Sequence, residues 1–192
     1  MDMVGDPSEE LVEITADDIE AICRVDPVEP DVETTVTREE IVNLDGGTYN
    51  EDKLANVWYL GNGKVRITQT KGYGTTAVNS EYIAQPRVYK GHILAFESLL
   101  DNVHILSVAI MYAGAYMGDS IVAGMEVDSA NNVIECQEII LTQWSTVTNG
   151  THRITSLLEN GLKTFYLQNS STEKVLQLRI TNIVVTYKTV NE

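Results

Sequence analysis

Cysteine, histidine and basic residues are all scarce in this chain, and each shortage removes a class of function. Cys23 and Cys136 are the only cysteines in 192 residues. Two lone thiols make neither a disulfide framework nor a metal-ligand pair, so both are expected to be free, with Cys136 in the core. His92, His104 and His152 are the only histidines. No HExxH or other ligand spacing joins them, and each is expected to be structural. Lys and Arg number 13 against 28 Asp and Glu. Nucleic-acid binding needs clustered cations whose phosphate contacts release counterions, and that partner is excluded.

Long apolar runs are missing as well. The most apolar stretch, Val103 to Gly118, falls short of the roughly 18 residues of a membrane span and is interrupted by His104. The opening residues "MDMVGDPSEELVEI" lack the basic, apolar and cleavage regions of an export signal. The expectation is a protein made in the cytoplasm that contacts no membrane. Catalytic signatures are equally sparse. There is no GxSxG elbow, no histidine adjoins either cysteine, and "TKGYGTT" has no GK[ST] opening a helix. No enzyme, cofactor or metal is expected. "DSANN" (Asp128 to Asn132) reads as a turn rather than a calcium loop.

What is present divides the chain in two. Of the 28 acidic residues, 14 lie in residues 1–40 beside only Arg24 and Arg38, so most of the net charge of −15 belongs to that segment. Residues 1–40 are predicted to be an acidic arm carrying one short helix, about residues 16–23. Thr15 is placed to cap it with Asp18 at the third helical position, and Ile14 and Ile19 have the spacing of a hydrophobic staple. Ile22 and Cys23 extend that narrow apolar face. So short a helix is not stable alone and would order only by packing on something else. Ile14, Ile19 and Ile22, with Asp17, Asp18 and Glu20, are therefore the predicted partner-binding residues, and Pro27 and Pro30 end the helix in an extended link.

From residue 41 to 192 the pattern is β. "TREEIVNLDGG" (Thr37 to Gly47) mixes capping-box spacing with strand character, and a strand is preferred. "NGKVRITQT" alternates Val65 and Ile67 with Lys64, Arg66 and Thr68, as a strand with one wet face does, and "GNG" (Gly61 to Gly63) is placed to turn a hairpin. Further runs rich in Val, Ile, Thr and Tyr follow between turn residues. In the last run Leu176, Leu178 and Ile180 share one phase, and Ile183, Val185 and Tyr187 share the other. That slip at Thr181–Asn182 predicts a bulge or corner. "SLLENGL" (Ser156 to Leu162) is the one helical candidate, read as a turn or loop. The predicted fold is an all-β, antiparallel two-sheet β-sandwich, jelly-roll-like, behind an extended N-terminal arm.

Binding residues are harder to place. Trp58, Tyr73 and Trp144 are candidates for stacking on the apolar faces of sugar rings. Aromatic rings also fill sandwich cores, and that second use weighs more. The stretch "TKGYGTTAVNSEYIAQPRVYKG" (Thr70 to Gly91) is read as scaffold, with Gly72 and Gly74 supplying a positive-φ connection and Lys90–Gly91 a turn.

"KVRITQTKGYGTTAV", "PRVYKGHILAF", "FYLQNSS" and "LQLRITNIVVTY" together resemble a β-sandwich domain recurring in proteins of gut Bacteroidota. The matching positions include Thr70, Lys71, Gly72, Gly74 and Thr76, then Arg87, Tyr89, Lys90 and Gly91, then Arg179 to Thr181 and Thr186–Tyr187. The likeness covers most of residues 41–192 and none of the arm. It departs between Trp144 and Lys163, where a longer connection is expected. A sandwich of this kind with an acidic arm and no export signal looks like a virion component of a tailed, crAss-like phage. The resemblance thus implies a non-enzymatic capsid accessory or head-fibre-anchoring subunit, oligomeric in its assembly. Its partners would be other capsid or fibre proteins and host surface glycans. The alternative is a carbohydrate-binding module of a bacterial glycan-handling protein.

Overall fold

The computed structural model describes residues 33–72, 78, 80, 83–114, 120–146, 151–172 and 177–191, with the side chains of residues 143–146, 151 and 159 outside that description. The chain divides into two units at Val32 and Glu33. Residues 1–32, with the predicted helix and the six arm residues named above, lie outside the described residues.

Among the described residues the body contains fourteen strands: β1 (Thr34–Val42), β2 (Thr48–Asn50), β3 (Ala55–Leu60), β4 (Val65–Thr70), β5 (Arg87–Val88), β6 (Ile93–Ser98), β7 (Val103–Ala113), β8 (Ile121–Gly124), β9 (Glu126–Val127), β10 (Val133–Ile134), β11 (Ile140–Thr146), β12 (Thr151–Leu162), β13 (Thr164–Asn169) and β14 (Leu178–Val190). One six-stranded sheet runs β1-β14-β7-β12-β11, with β5 also on β14. The other runs β2-β3-β4-β6-β13-β8, and β9 and β10 form a small separate pair. Every pairing is antiparallel. The pairs β5–β14, β6–β13 and β7–β12 fall alternately in the first sheet, the second and the first. A long hairpin rolled around a core produces that alternation, which is the jelly-roll topology expected from the sequence.

The strands face inward for the reason their sequences suggest. Trp58 on β3, Ile67 on β4, Phe96 on β6 and Phe165 on β13 stand in register on one face of the second sheet and are all buried. Phe96 and Phe165 stack with ring centroids 4.8 Å apart. They join Ile110, Val108, Ile183 and Val185 of the first sheet in one continuous core. The phase slip in the last strand is a bulge. Ile180 pairs with Tyr112 and Asn182 with Met111, leaving Thr181 as the extra residue. Its carbonyl accepts the Asn43 amide at 2.7 Å and its hydroxyl donates to the Met111 carbonyl, so the displaced residue is held from both sides.

Three expectations are corrected. The body begins before residue 41, because Thr34–Val42 pairs with Asn182–Val190 along its full length. Those residues were assigned to the arm for their charge, yet Thr37, Glu39 and Ile41 turn inward while Arg38 and Glu40 face solvent. The segment from Ser156 to Leu162 is no helix, turn or loop. It continues β12, whose Ile154, Ser156 and Leu158 alternate as buried residues between β11 and β7. The expected long connection after Trp144 is largely that strand. Of the strand read in "TREEIVNLDGG", Thr37–Val42 is strand and Asn43–Gly46 is a turn, while the hairpin at Gly61–Gly63 and the turn at Asp128–Asn132 hold.

Glu39 earns its inward position on the edge strand. One carboxylate oxygen accepts from the Tyr187 hydroxyl at 2.8 Å and the other from the Gly61 amide at 2.7 Å. The strand thereby ties the β3–β4 turn to β14. Burial, reinforced by Glu39, pushes the Tyr187 phenol above its ordinary value. A phenol raised in the folded state contributes stability that is complete below about pH 10, its unfolded value, and is lost as pH rises through the higher folded value. Unfolding free energy measured by urea titration is therefore expected to fall in that alkaline window. In Tyr187→Phe the alkaline fall should flatten, at a cost of about 1 kcal/mol at neutral pH for the lost hydrogen bond.

Candidate functional site

The stretch after β4 is built as a clamp for backbone. Gly72 does not take a positive φ, contrary to expectation. A Cβ there would collide with the Gly91 carbonyl oxygen and crowd the Asn131 carbonyl and the Gln168 amide, each 3.2 Å away. Glycine is required at position 72 by close approach of three chain segments. Gly91, with φ of 76°, supplies the left-handed residue, and the His92 amide closes its turn onto the Tyr89 carbonyl. Gly74 and Tyr73 lie outside the described residues.

Buried amide side chains hold this end of the sandwich. Gln69 donates to the Arg87 carbonyl, accepts from Asn56 and meets His92 Nδ1 at 3.2 Å. Gln168 accepts the Val133 amide and donates to the Gly91 carbonyl, and Asn169 donates to the Val88 carbonyl. Buried polar groups persist where such partners exist, and here the partners are mostly main chain. The network fixes loops and presents no reactive group. His92 belongs to it, and His152 bonds the Gly114 carbonyl at 2.9 Å. His104 stands apart from both, near Lys163 and Lys188, where burial first and the lysines second hold it below its ordinary value. The three histidines therefore do not converge. Among the described residues no group of three His, Cys, Asp or Glu is arranged to hold a metal ion.

The glycan-stacking candidates separate. Trp58 is 1% exposed, and its indole N–H donates to the Leu44 carbonyl at 3.0 Å. It cannot offer a ring face to a sugar, which corrects that assignment. Tyr73 and the Trp144 ring are outside the described residues. The outward face of the second sheet carries Tyr59, Arg66, Glu97 and Thr164 in one row across four strands, of which the wet-face pattern of Lys64, Arg66 and Thr68 anticipates Arg66. Tyr59 is exposed, and Arg66 Nε donates to Glu97 at 2.8 Å, which holds the guanidinium pKa above its ordinary value. Period-two alternation places this row opposite Trp58, Ile67, Phe96 and Phe165, so it was legible once those were known to be core.

A recess lies elsewhere, at the start of β11. Met125, Ile139, Ile140, Leu158 and Leu162 line a cavity of about 440 Å³ with Glu138 at its rim. A second hollow of about 330 Å³ shares Met125, Gln137 and Glu138 and extends past Ile134, Glu126 and Glu135. Gly124 brings the walls together, since a Cβ there would collide with the Ile134 carbonyl. The Asp128 carboxylate accepts the Ala130 and Asn132 amides and so shapes the hairpin that borders the groove. Those bonds, the Asn132 amide foremost, hold its pKa below the usual carboxylate value. Cys136, a free thiol, packs partly against the core here. Met125, Ile134 and Ile140 remain exposed. Comparison with protein-family models and with curated proteins finds no match for the chain.

Proposed function

We propose that this chain is a non-enzymatic structural subunit of a tailed-phage virion, a capsid accessory or head-fibre-anchoring protein that works by contact with neighbouring subunits. The observation that carries this reading is the groove at the start of β11, where side chains of a packed core meet exposed Met125, Ile134 and Ile140. An apolar recess continuous with the core and rimmed by polar groups is a form that protein contacts use. The acidic segment before residue 33 supplies a second docking element, and the likeness to phage and Bacteroidota sandwiches supports the setting. The test is fractionation of a lysate from the cell that makes the chain. Co-banding with DNA-filled particles on a density gradient, at a fixed copy number per particle, is expected. Recovery only in the soluble fraction would overturn the virion assignment. Deleting residues 1–32, which spares β1, is expected to lower incorporation.

A glycan-binding module is the second reading, and the Tyr59 row favours it. A flat exposed ring beside an Arg–Glu pair offers both stacking and hydroxyl recognition. Retention on immobilised polysaccharide that Tyr59→Ala removes would support it.

A further inference from the structure

The groove has a shape of its own beyond being apolar. β11 pairs with β12 only from Ile140 opposite Leu157 onward, whereas β12 continues to Leu162. On the other side of β12, the ladder with β7 skips from Leu157 to Leu162. Residues 158–161 therefore have no ladder partner on either neighbouring strand, and Leu158, Asn160, Gly161 and Leu162 form one wall of the cavity. The recess occupies the track that β11 would follow if it were longer.

Its charge is one-sided. Glu126, Glu135 and Glu138 stand exposed along the two hollows, and among the described residues neither hollow is lined by Lys or Arg. Lys163, next in sequence to the wall, is turned elsewhere and donates to the carbonyls of Leu100 and Asp101.

Resting on the reading of this groove as a contact surface, we infer that it takes an extended segment of a partner protein carrying alternating apolar and basic side chains. The segment continues the β11 track beside β12. Strand addition of this kind draws affinity from main-chain bonds and specificity from alternate side chains. One set of side chains fills the space between Met125, Ile140 and Leu158, and the other set meets Glu135 and Glu138. Charge excludes a second copy as occupant, since a two-fold pairing of grooves would set Glu126, Glu135 and Glu138 against their own copies.

The test uses the full chain and three short synthetic peptides: one alternating Val and Lys, one with Ser for Val, and one with Glu for Lys. Fluorescence anisotropy and amide shift mapping are the readouts. The Val–Lys peptide is expected to bind and to shift amides of residues 135–140 and 158–162, with the other two at least about tenfold weaker. The variants Ile140→Ser and Glu135→Lys with Glu138→Lys, all at exposed positions, are each expected to weaken it about tenfold. Equal binding of the Ser–Lys peptide would reduce the effect to bulk charge and overturn the inference. So would shifts confined to other surfaces. A concentration-dependent dimer in sedimentation that Ile140→Ser abolishes would assign the groove to a second copy and likewise overturn it. Peptide binding by a chain found outside particles would retain this inference while removing the virion assignment.

Discussion

Trp58→Ala is expected to destabilise the body by about 3–5 kcal/mol in urea denaturation, the largest effect of any single substitution considered. The indole is one of the largest fully buried side chains and sits in the central row of the second sheet. Truncation leaves a cavity that neighbouring strands cannot close, because β4 and the sheet beyond are held by their own ladders. A second loss falls on the turn after β1. Asn43 and Leu44 there adopt left-handed φ of 55° and 46°, which is costly for a residue such as leucine. The indole N–H holds the Leu44 carbonyl, and Gly47 leaves room for the ring edge, where any Cβ would strike it. Trp58→Phe should recover much of the packing and none of that hydrogen bond, placing it between wild type and alanine. The comparison also separates core from ligand roles. A sugar-stacking tryptophan could be truncated with little loss of stability, so a cost below about 1 kcal/mol would contradict the buried placement.

Gly72→Ala is expected to cost about 2–3 kcal/mol, at the upper end of overpacking effects, although it adds only a methyl group. The obstacle is the Gly91 carbonyl, which belongs to backbone and cannot rotate away as a side chain would. Accommodating the methyl must push apart the Lys71–Gly72 segment and the Tyr89–His92 turn. That disturbs the Gln168 bond to Gly91 and the Gln69 contact with His92. The readout is twofold: a lower urea midpoint, and displaced His92 ring resonances in an NMR spectrum. Gly91→Ala offers a contrast. Its cost should be about 1–2 kcal/mol and arise from the left-handed backbone rather than from collision. Near-wild-type stability for Gly72→Ala would mean that these loops stand apart, and the clamp would be refuted.

Both predictions bear on what local sequence discloses. The bulge at Thr181 was visible because apolar phase is written into a strand, and a slip of one residue turns every following side chain to the opposite face. β7 carries the same mark. Val103 and Ile105 face inward, then Val108, Ile110 and Tyr112, with the ladder to β14 skipping Leu106. That slip could have been read with the same rule. β12 was missed for another reason. Leu157, Leu158 and Glu159 favour a helix taken alone, and pairing of Thr151–Leu157 on both sides, resumed with β7 at Leu162, overrode the preference. The boundary at residue 41 was drawn on charge. Glu39 shows why charge misleads there, because its carboxylate is spent on Tyr187 and Gly61 inside the sheet.

The candidate site shows the same division. That Tyr59 and Arg66 alternate with Trp58 and Ile67 can be read along each strand. Which set faces the core depended on the partner sheet. The groove was illegible, because Met125, Glu138 and Leu158 sit on three separated segments with no shared spacing. Alternation and turn chemistry were enough for an antiparallel sandwich and its bulge, since both arise from neighbouring residues and a period of two. The strand order, the burial of Trp58, the crowding at Gly72 and the recess beside β12 arose only when distant segments met. Their causes are steric and electrostatic contacts between residues far apart in the chain, and no local pattern encodes them.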